Sequence, residues 1–312
     1  MQLFLALLFA ASVASDVYAA PLDMIRNYPV VKVVPDTYVM HGPLGEPSVS
    51  NQGFMNNPGW VIAGNQVVVI DPGSSVQAGR RVVQQIKKTT RLPVTLVYTT
   101  HIHGDHWLGN QAILEAWPKA VLAAHPDMIA KAHAGEAQSW INLMSRSTQG
   151  YTEGTRAEIP TLATFDGMTT KIGTHVFKVL SSNNAHSKTD IMIVVDNNVL
   201  FAGDNAMNKR IARMDDGNFL GNIKAIDQAL ALHVKVIVPG HGITGGREIL
   251  TAQKAYFQTL FDAVKGEYVL GKSDFEMKPT VLKKLARFKT WDGFDTTVGK
   301  HISLAVLEIE QQ

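Results

Sequence analysis

Apolar positions along this chain come in short runs separated by turn residues, and their period changes from one segment to the next. Residues 30–34, 61–63 and 67–70 are rich in valine and isoleucine and bounded by turn formers, which predicts strands. The last two flank Gly64-Asn65-Gln66 and read as a hairpin that ends at Asp71-Pro72-Gly73. Helical spacing follows over 77–89, then a strand at 94–98, a helix over 110–117 and a short strand at 120–124. Further on, 174–180, 191–195, 199–202 and 234–238 read as strands, with a helix over 221–232. Leu250, Ala255, Leu260 and Ala263 recur on one helical face, predicting a long helix over 247–269, and 301–310 predicts another. Residues 126–160 mix helix and loop signals and read as an insertion near the functional region. Hairpins followed by alternating strand and helix, twice over, suit two packed sheets covered by helices.

Composition narrows this picture. The 312 residues are 46% hydrophobic, enough for one large domain or two small ones, and the element pattern suits one, over residues 20–312 with a helical tail from about 247. A net charge of +2 gives no electrostatic case for nucleic acid or a polyanion as a partner. Cysteine is absent, which leaves His, Asp and Glu as the ligands for any metal. The amino terminus has an apolar core over 3–13, shorter than the ~20 residues that span a bilayer, followed by small residues. Val17-Tyr18-Ala19 fits a cleavage pattern, so residues 1–19 are expected to be a cleaved export signal. The mature protein is then expected to be periplasmic or secreted, with no membrane anchor.

Candidate chemistry concentrates in Thr99-Thr100-His101-Ile102-His103-Gly104-Asp105-His106, directly after the predicted strand 94–98. Imidazole and carboxylate are the ligands zinc takes when thiolate is missing. Residues two apart on an extended segment point the same way, so His101 and His103 can grip one ion. A turn at Gly104 frees Asp105 and His106 to face a second ion. His186, Asp204 and His241 each sit where a predicted strand gives way to a loop, and loops at one sheet edge are a usual place for function.

Together the His-x-His-x-Asp-His block, His186, Asp204 and His241 resemble the metallo-β-lactamase-fold superfamily of binuclear zinc hydrolases, over roughly 51–242. The resemblance implies an α/β fold, an αββα sandwich of two mixed β-sheets flanked by helices. It implies that His101, His103 and His186 bind one zinc, that Asp105, His106 and His241 bind a second, and that Asp204 bridges them. Iron or manganese are the alternative metals. Asp71 would support the ligands from behind, and Asp105 would carry the catalytic role of orienting a metal-activated water or moving its proton. Trp107, beside His106, is the first choice for a pocket wall among Trp107, Trp140, Met144 and Tyr151; His41 and Lys188 are further pocket candidates. His125, His133, His175, His233 and His301 lack ligand spacing and read as structural.

The aspartate at 204 narrows the branch. Dedicated zinc β-lactamases carry cysteine or serine there, whereas aspartate is the pattern of thioesterases, lactonases and phosphodiesterases. Asn51-Gln52-Gly53-Phe54, Gly59-Trp60-Val61-Ile62 and the His186-Ser187-Lys188-Thr189-Asp190 loop are most similar to exported zinc metallohydrolases associated with quinoprotein dehydrogenase and sulfur-oxidation systems. The reaction that the resemblance implies is hydrolysis of an ester, thioester, lactone or lactam carbonyl, or of a phosphoester, in a small-molecule substrate. Weak β-lactamase activity, an iron-dependent sulfur dioxygenase and a non-catalytic metal-binding accessory of a quinoprotein dehydrogenase are the competing expectations.

Overall fold

A computed structural model describes residues 23–182 and 184–312; the expected export signal at 1–19 lies outside them. Among the described residues, β1 (Val30–Val34), β2 (Thr37–Met40), β3 (Gly59–Ala63), β4 (Gln66–Ile70), β5 (Val94–Tyr98), β6 (Val121–Ala124) and β7 (Leu162–Ala163) pair in that order. The β1–β4 pairs are antiparallel and the β4–β7 pairs parallel. A second sheet holds β8 (Thr169–Ile172), β9 (His175–Ser182), β10 (Asp190–Val195), β11 (Val199–Phe201) and β12 (Val236–Val238), in the order β12-β11-β10-β9-β8. Only its β11–β12 pair is parallel.

Strand alternation sorts side chains between layers. Val68 and Ile70 of β4 meet Phe177, Ile191 and Ile193 of the other sheet in the central core. Val67 and Val69 face the opposite way, onto Val82 and Ile86 of α1 (Val76–Thr89). On the second sheet Met192 and Val194 point outward to the helices that cover it. The short helices α2 (Gly104–Trp107), α3 (Asn110–Ala116), α4 (Pro126–Lys131) and α5 (Ala137–Ser147) follow in the first half. The outer layer of the second sheet is α6 (Phe219–Ala231), α7 (Glu248–Val269), α8 (Asp274–Lys284) and α9 (Phe294–Glu310). The result is the αββα sandwich of two mixed sheets that the resemblance implies.

Two features depart from the sequence pattern. Strands β8 to β11 follow one another without intervening helices: tight turns join β8 to β9 and β10 to β11, and the loop that carries His186 joins β9 to β10. Asp196 and Asn197 both adopt positive φ (53° and 50°), the geometry of a hairpin turn that matches strand twist. The tail also holds α8, which the pattern does not predict. Pro279 lies inside it, while Ser273 and Glu276 cap its start reciprocally.

Candidate metal centre

Four loops at one edge of the sandwich carry the chemistry, each leaving the C-terminal end of a strand in a parallel pair. Asp71 follows β4, His101 to His106 follow β5, Asp204 sits in a 3₁₀ turn after β11, and His241 follows β12. Such ends collect loops at one rim, which is where open α/β sheets place ligands. His186 joins them from the β9–β10 connection. Glycines permit the close approach. A Cβ on Gly240 would lie 1.9 Å from Asp204 Oδ1, and one on Gly104 would lie 2.7 Å from Trp140 Cβ. Gly104 is therefore required by the packing of Trp140 rather than by a left-handed turn.

The seven predicted ligands converge in two buried groups: His101, His103, His186 and Asp204, and then Asp105, His106 and His241. Within each, one nitrogen or oxygen per residue lies within 4.8 Å of the others. His186 Nε2 is 3.0 Å from His103 Nδ1, and His241 Nε2 is 3.2 Å from Asp105 Oδ2. Asp204 stands between the groups. Its Oδ2 is 3.4 Å from His186 Nε2 and 3.4 Å from His241 Nε2, and its Oδ1 is 3.1 Å from His106 Nε2.

Groups behind the ligands fix their orientation. Asp71 Oδ2 accepts from His106 Nδ1 at 2.8 Å and from the Thr100 hydroxyl at 2.7 Å, while Oδ1 takes the Thr100 backbone N–H. The supporting place implied for Asp71 is thus the one it occupies. Asp216, which sequence reasoning missed, lies 3.1 Å from His103 Nε2 and leaves Nδ1 for the cluster. His241 Nδ1 lies 2.9 Å from both the Met55 carbonyl and Arg210 Nη1. Asn57 donates to the carbonyls of Pro239 and Gly242, pinning the His241 loop to the first half of the chain. The Thr189 hydroxyl accepts the Ile102 N–H, and Ser187 donates twice to Asp190, so the His186 loop is tied to the His101–His106 segment. Further back, His301 donates through Nε2 to the Ala212 carbonyl and accepts from the Tyr256 hydroxyl on Nδ1. That pair holds the loop of Arg210, Arg213 and Asp216 against α7 and α9.

Burial, reinforced by neighbouring imidazoles, keeps His101 well below the ordinary histidine value; burial likewise pushes His186 down to about 3. Both rings are neutral, the state a metal ligand needs. Burial alone would raise the carboxyls of Asp105 and Asp204, yet adjacent histidines outweigh it and hold both well below the usual carboxylate range. His101 Nε2, His106 Nε2 and Asp204 Oδ1 are buried without a hydrogen-bond partner, which is unusual for such atoms unless something else occupies them. Five imidazoles and two carboxylates, with no thiolate, fit a binuclear metal centre.

The family model of the metallo-β-lactamase superfamily matches residues 52–241, which takes in every one of these ligands. The chain belongs to the metallo-β-lactamase superfamily. No curated protein matches it. Among solved structures it is similar to a metallo-β-lactamase from Pontibacter korlensis, at 17% identity and a TM-score of 0.59, covering 74% of this chain and 99% of that one. A metallo-β-lactamase from Hirschia baltica is 21% identical, with a TM-score of 0.54 over 74% of this chain and 98% of its own. A stereoselective inverting sec-alkylsulfatase from a Pseudomonas species is 16% identical, with a TM-score of 0.62; the match covers 79% of this chain but only 44% of that protein.

In this superfamily member a cavity of about 190 Å³ opens onto the metal groups. His103, Asp105, Asp204 and His241 face it, with Trp140, Leu143, Arg210 and Arg213 among its walls. Four pocket candidates fall elsewhere. Trp107 is fully buried and donates to the Ile102 carbonyl, so it belongs to the core beneath α2, and Trp140 takes the wall position, 4.9 Å from His103 between ring centres. Met144 is buried in the same core. His41 pairs with Thr244 and lines a separate apolar cleft on the β1 side, away from the metal groups. Lys188 is exposed and does not line the cavity. Arg210, Arg213 and Asp216 were hidden because only the folded chain brings them near the ligands; their one sequence signal is the run of charge over 209–216, shortly after Asp204.

Proposed function

We propose that this protein is an exported binuclear zinc hydrolase acting on an ester, thioester or lactone bond of a small molecule. The observation that carries the reading is Asp204, whose two carboxylate oxygens reach both ligand groups. An aspartate there, rather than cysteine or serine, also favours a thioesterase or lactonase over a dedicated β-lactamase. His101, His103, His186 and Asp204 would hold one cation; Asp105, His106 and His241, with Asp204 shared, would hold the other. Bound divalent cations supply Lewis acidity and make a bound water acidic near neutral pH.

The chain's own residues set the geometry of that chemistry. Asp71 and Asp216 lock the rings of His106 and His103 in place. Asp105 is ionised and faces the cavity, where it can orient the attacking water or accept its proton. Trp140, Leu143 and Met55 wall the cavity with apolar surface, which strengthens electrostatic interactions inside it.

Metal analysis of natively expressed protein, combined with a hydrolysis screen over lactones, thioesters, phosphodiesters and β-lactams with and without chelator, tests this reading. About two metal ions per chain, mostly zinc, with chelator-sensitive turnover of an ester, thioester or lactone that Asp105→Ala abolishes, is the expected outcome. Iron dominance would sink the zinc assignment. Full occupancy with no turnover across the panel would sink the hydrolase. Export is read separately, by sequencing the amino terminus of the mature chain, where a start at Ala20 is expected and a start at Met1 refutes it.

A further inference from the structure

We propose that the apolar cleft at the edges of the two sheets binds an uncharged, largely aliphatic molecule through a carbonyl oxygen held on His41 Nδ1–H. The site stands apart from the hydrolase reading. Among the described residues, β1 ends one sheet and β12 ends the other. Val31 and Val33 of β1 line the cleft together with Val236 of β12 and Ile243. Its volume is about 660 Å³, against about 190 Å³ for the metal cavity, and no residue lines both. Sites for small molecules have volumes of ~300–1,000 Å³ and mostly apolar walls with a few polar groups. Val31 and Ile243 leave apolar surface open to water here, at 45% and 62% exposure.

Proton accounting at His41 supplies the polar group. The residue lines the cleft and is only 6% exposed. Its Nε2 lies 3.2 Å from the Thr244 backbone nitrogen and 2.8 Å from the Thr244 hydroxyl. A backbone N–H can only donate, so Nε2 presents its lone pair and Nδ1 of the neutral ring carries the hydrogen. Burial moves the ring below the ordinary histidine value, which keeps it neutral near pH 7. Among the described residues, Nδ1–H meets no acceptor. A buried donor without a partner is unfavourable, so an oxygen brought to it by a ligand is stabilised.

Charge and hydrogen count choose the class of ligand. No Asp or Glu lines the cleft, and the ammonium of Lys32, its one lysine, lies over the Tyr38 ring, 5.6 Å from the centroid. The Tyr28 hydroxyl is already engaged, donating to the Asn51 carbonyl at 3.2 Å and accepting from Arg26 Nε at 3.0 Å. A carboxylate beside His41 would lose water to apolar walls and gain a single neutral donor, which is a poor exchange. A hydroxyl would bring a hydrogen that needs an acceptor of its own. A carbonyl oxygen brings neither cost, and the valines and Ile243 suit an aliphatic chain attached to it.

Titration calorimetry of the metal-loaded full chain with 2-nonanone tests the site without requiring turnover. Affinity should rise about fourfold per added CH₂ from 2-pentanone to 2-nonanone, as burial of an aliphatic chain requires. Octanoate, which replaces the methyl next to the carbonyl with an oxygen anion, should bind more weakly than 2-nonanone. His41→Phe keeps a ring but removes the donor, and should weaken 2-nonanone about fivefold. Val31→Asp, at an exposed position, should weaken it roughly tenfold or more by placing a charge in the cleft. Should His41→Phe fail to fold, Val31→Asp and the octanoate comparison still decide. No binding by the wild type overturns the site, as does unchanged affinity in Val31→Asp or in folded His41→Phe. Tighter binding of octanoate overturns the uncharged class. A protein that hydrolyses nothing yet binds 2-nonanone in this way refutes the proposed activity and keeps the cleft site.

Discussion

The two halves of the sandwich supply the metal centre in different ways. The first half delivers His101, His103, Asp105 and His106 from one segment after β5, backed by Asp71 one strand away. The second half delivers His186, Asp204 and His241 singly, from three separate connections, and hydrogen bonds from the first half hold the His186 and His241 loops. A compact block keeps its spacing through covalent continuity. Scattered ligands depend on strand order and on groups that clamp each loop. The second half is consequently the place where packing, rather than chain connectivity, holds the centre together.

Substitutions can break this contrast, the largest effect coming where the halves meet. Asp204→Ala removes a side chain whose two oxygens face both groups and should reduce metal content below two ions per chain. Its affinity loss should exceed the ~10–100-fold typical of removing an outer partner of a ligand, as read by competition with a metallochromic chelator. Asp71→Ala strikes the block from behind. It should weaken metal binding by about 10–100-fold, and should also lower stability by ~1–3 kcal/mol, because the Thr100 N–H and hydroxyl lose their buried acceptor. If Asp71→Ala left both metal affinity and melting temperature unchanged, the block would be self-sufficient and the contrast sharper than described.

Asp216→Asn should have a smaller effect, about tenfold or less on metal affinity, since Asp216 is half-exposed and its amide replacement can still meet His103. The last test is one of pH. Burial holds His301 at about 4, below its ordinary value of 6.5. The unfolded chain thus binds this proton more readily than the folded one. Stability from the group is complete above about 6.5 and is lost as pH falls toward about 4. Thermal unfolding across that window should show a shallower acid loss in His301→Gln than in wild type; equal slopes would mean that His301 does not report on the second half's packing.

Legibility followed the same divide. The block was plain in the sequence because its spacing alone states its chemistry, and β4 and β5 were plain because both faces of each are apolar. His186, Asp204 and His241 were legible only through the order in which they occur. Arg210, Asp216 and Asn57 were not legible, since nothing local marks a residue whose partner lies 31, 113 or 182 positions away. Trp107 misled for the opposite reason: its neighbour in sequence is a ligand, but the α2 turn sends its ring into the core while Trp140, from a distant helix, takes the wall.

One buried tie extends this reasoning to how such a chain can change. The superfamily match ends at residue 241, whereas Tyr256 and His301 lie beyond it and grip the backbone at Ala212, between Arg210 and Arg213. The tail thus works as an adjustable mount. Drift in α7 and α9 can re-aim the two arginines without altering a single metal ligand. Every metal ligand lies in the matched region, and the mount of the two cavity arginines lies outside it.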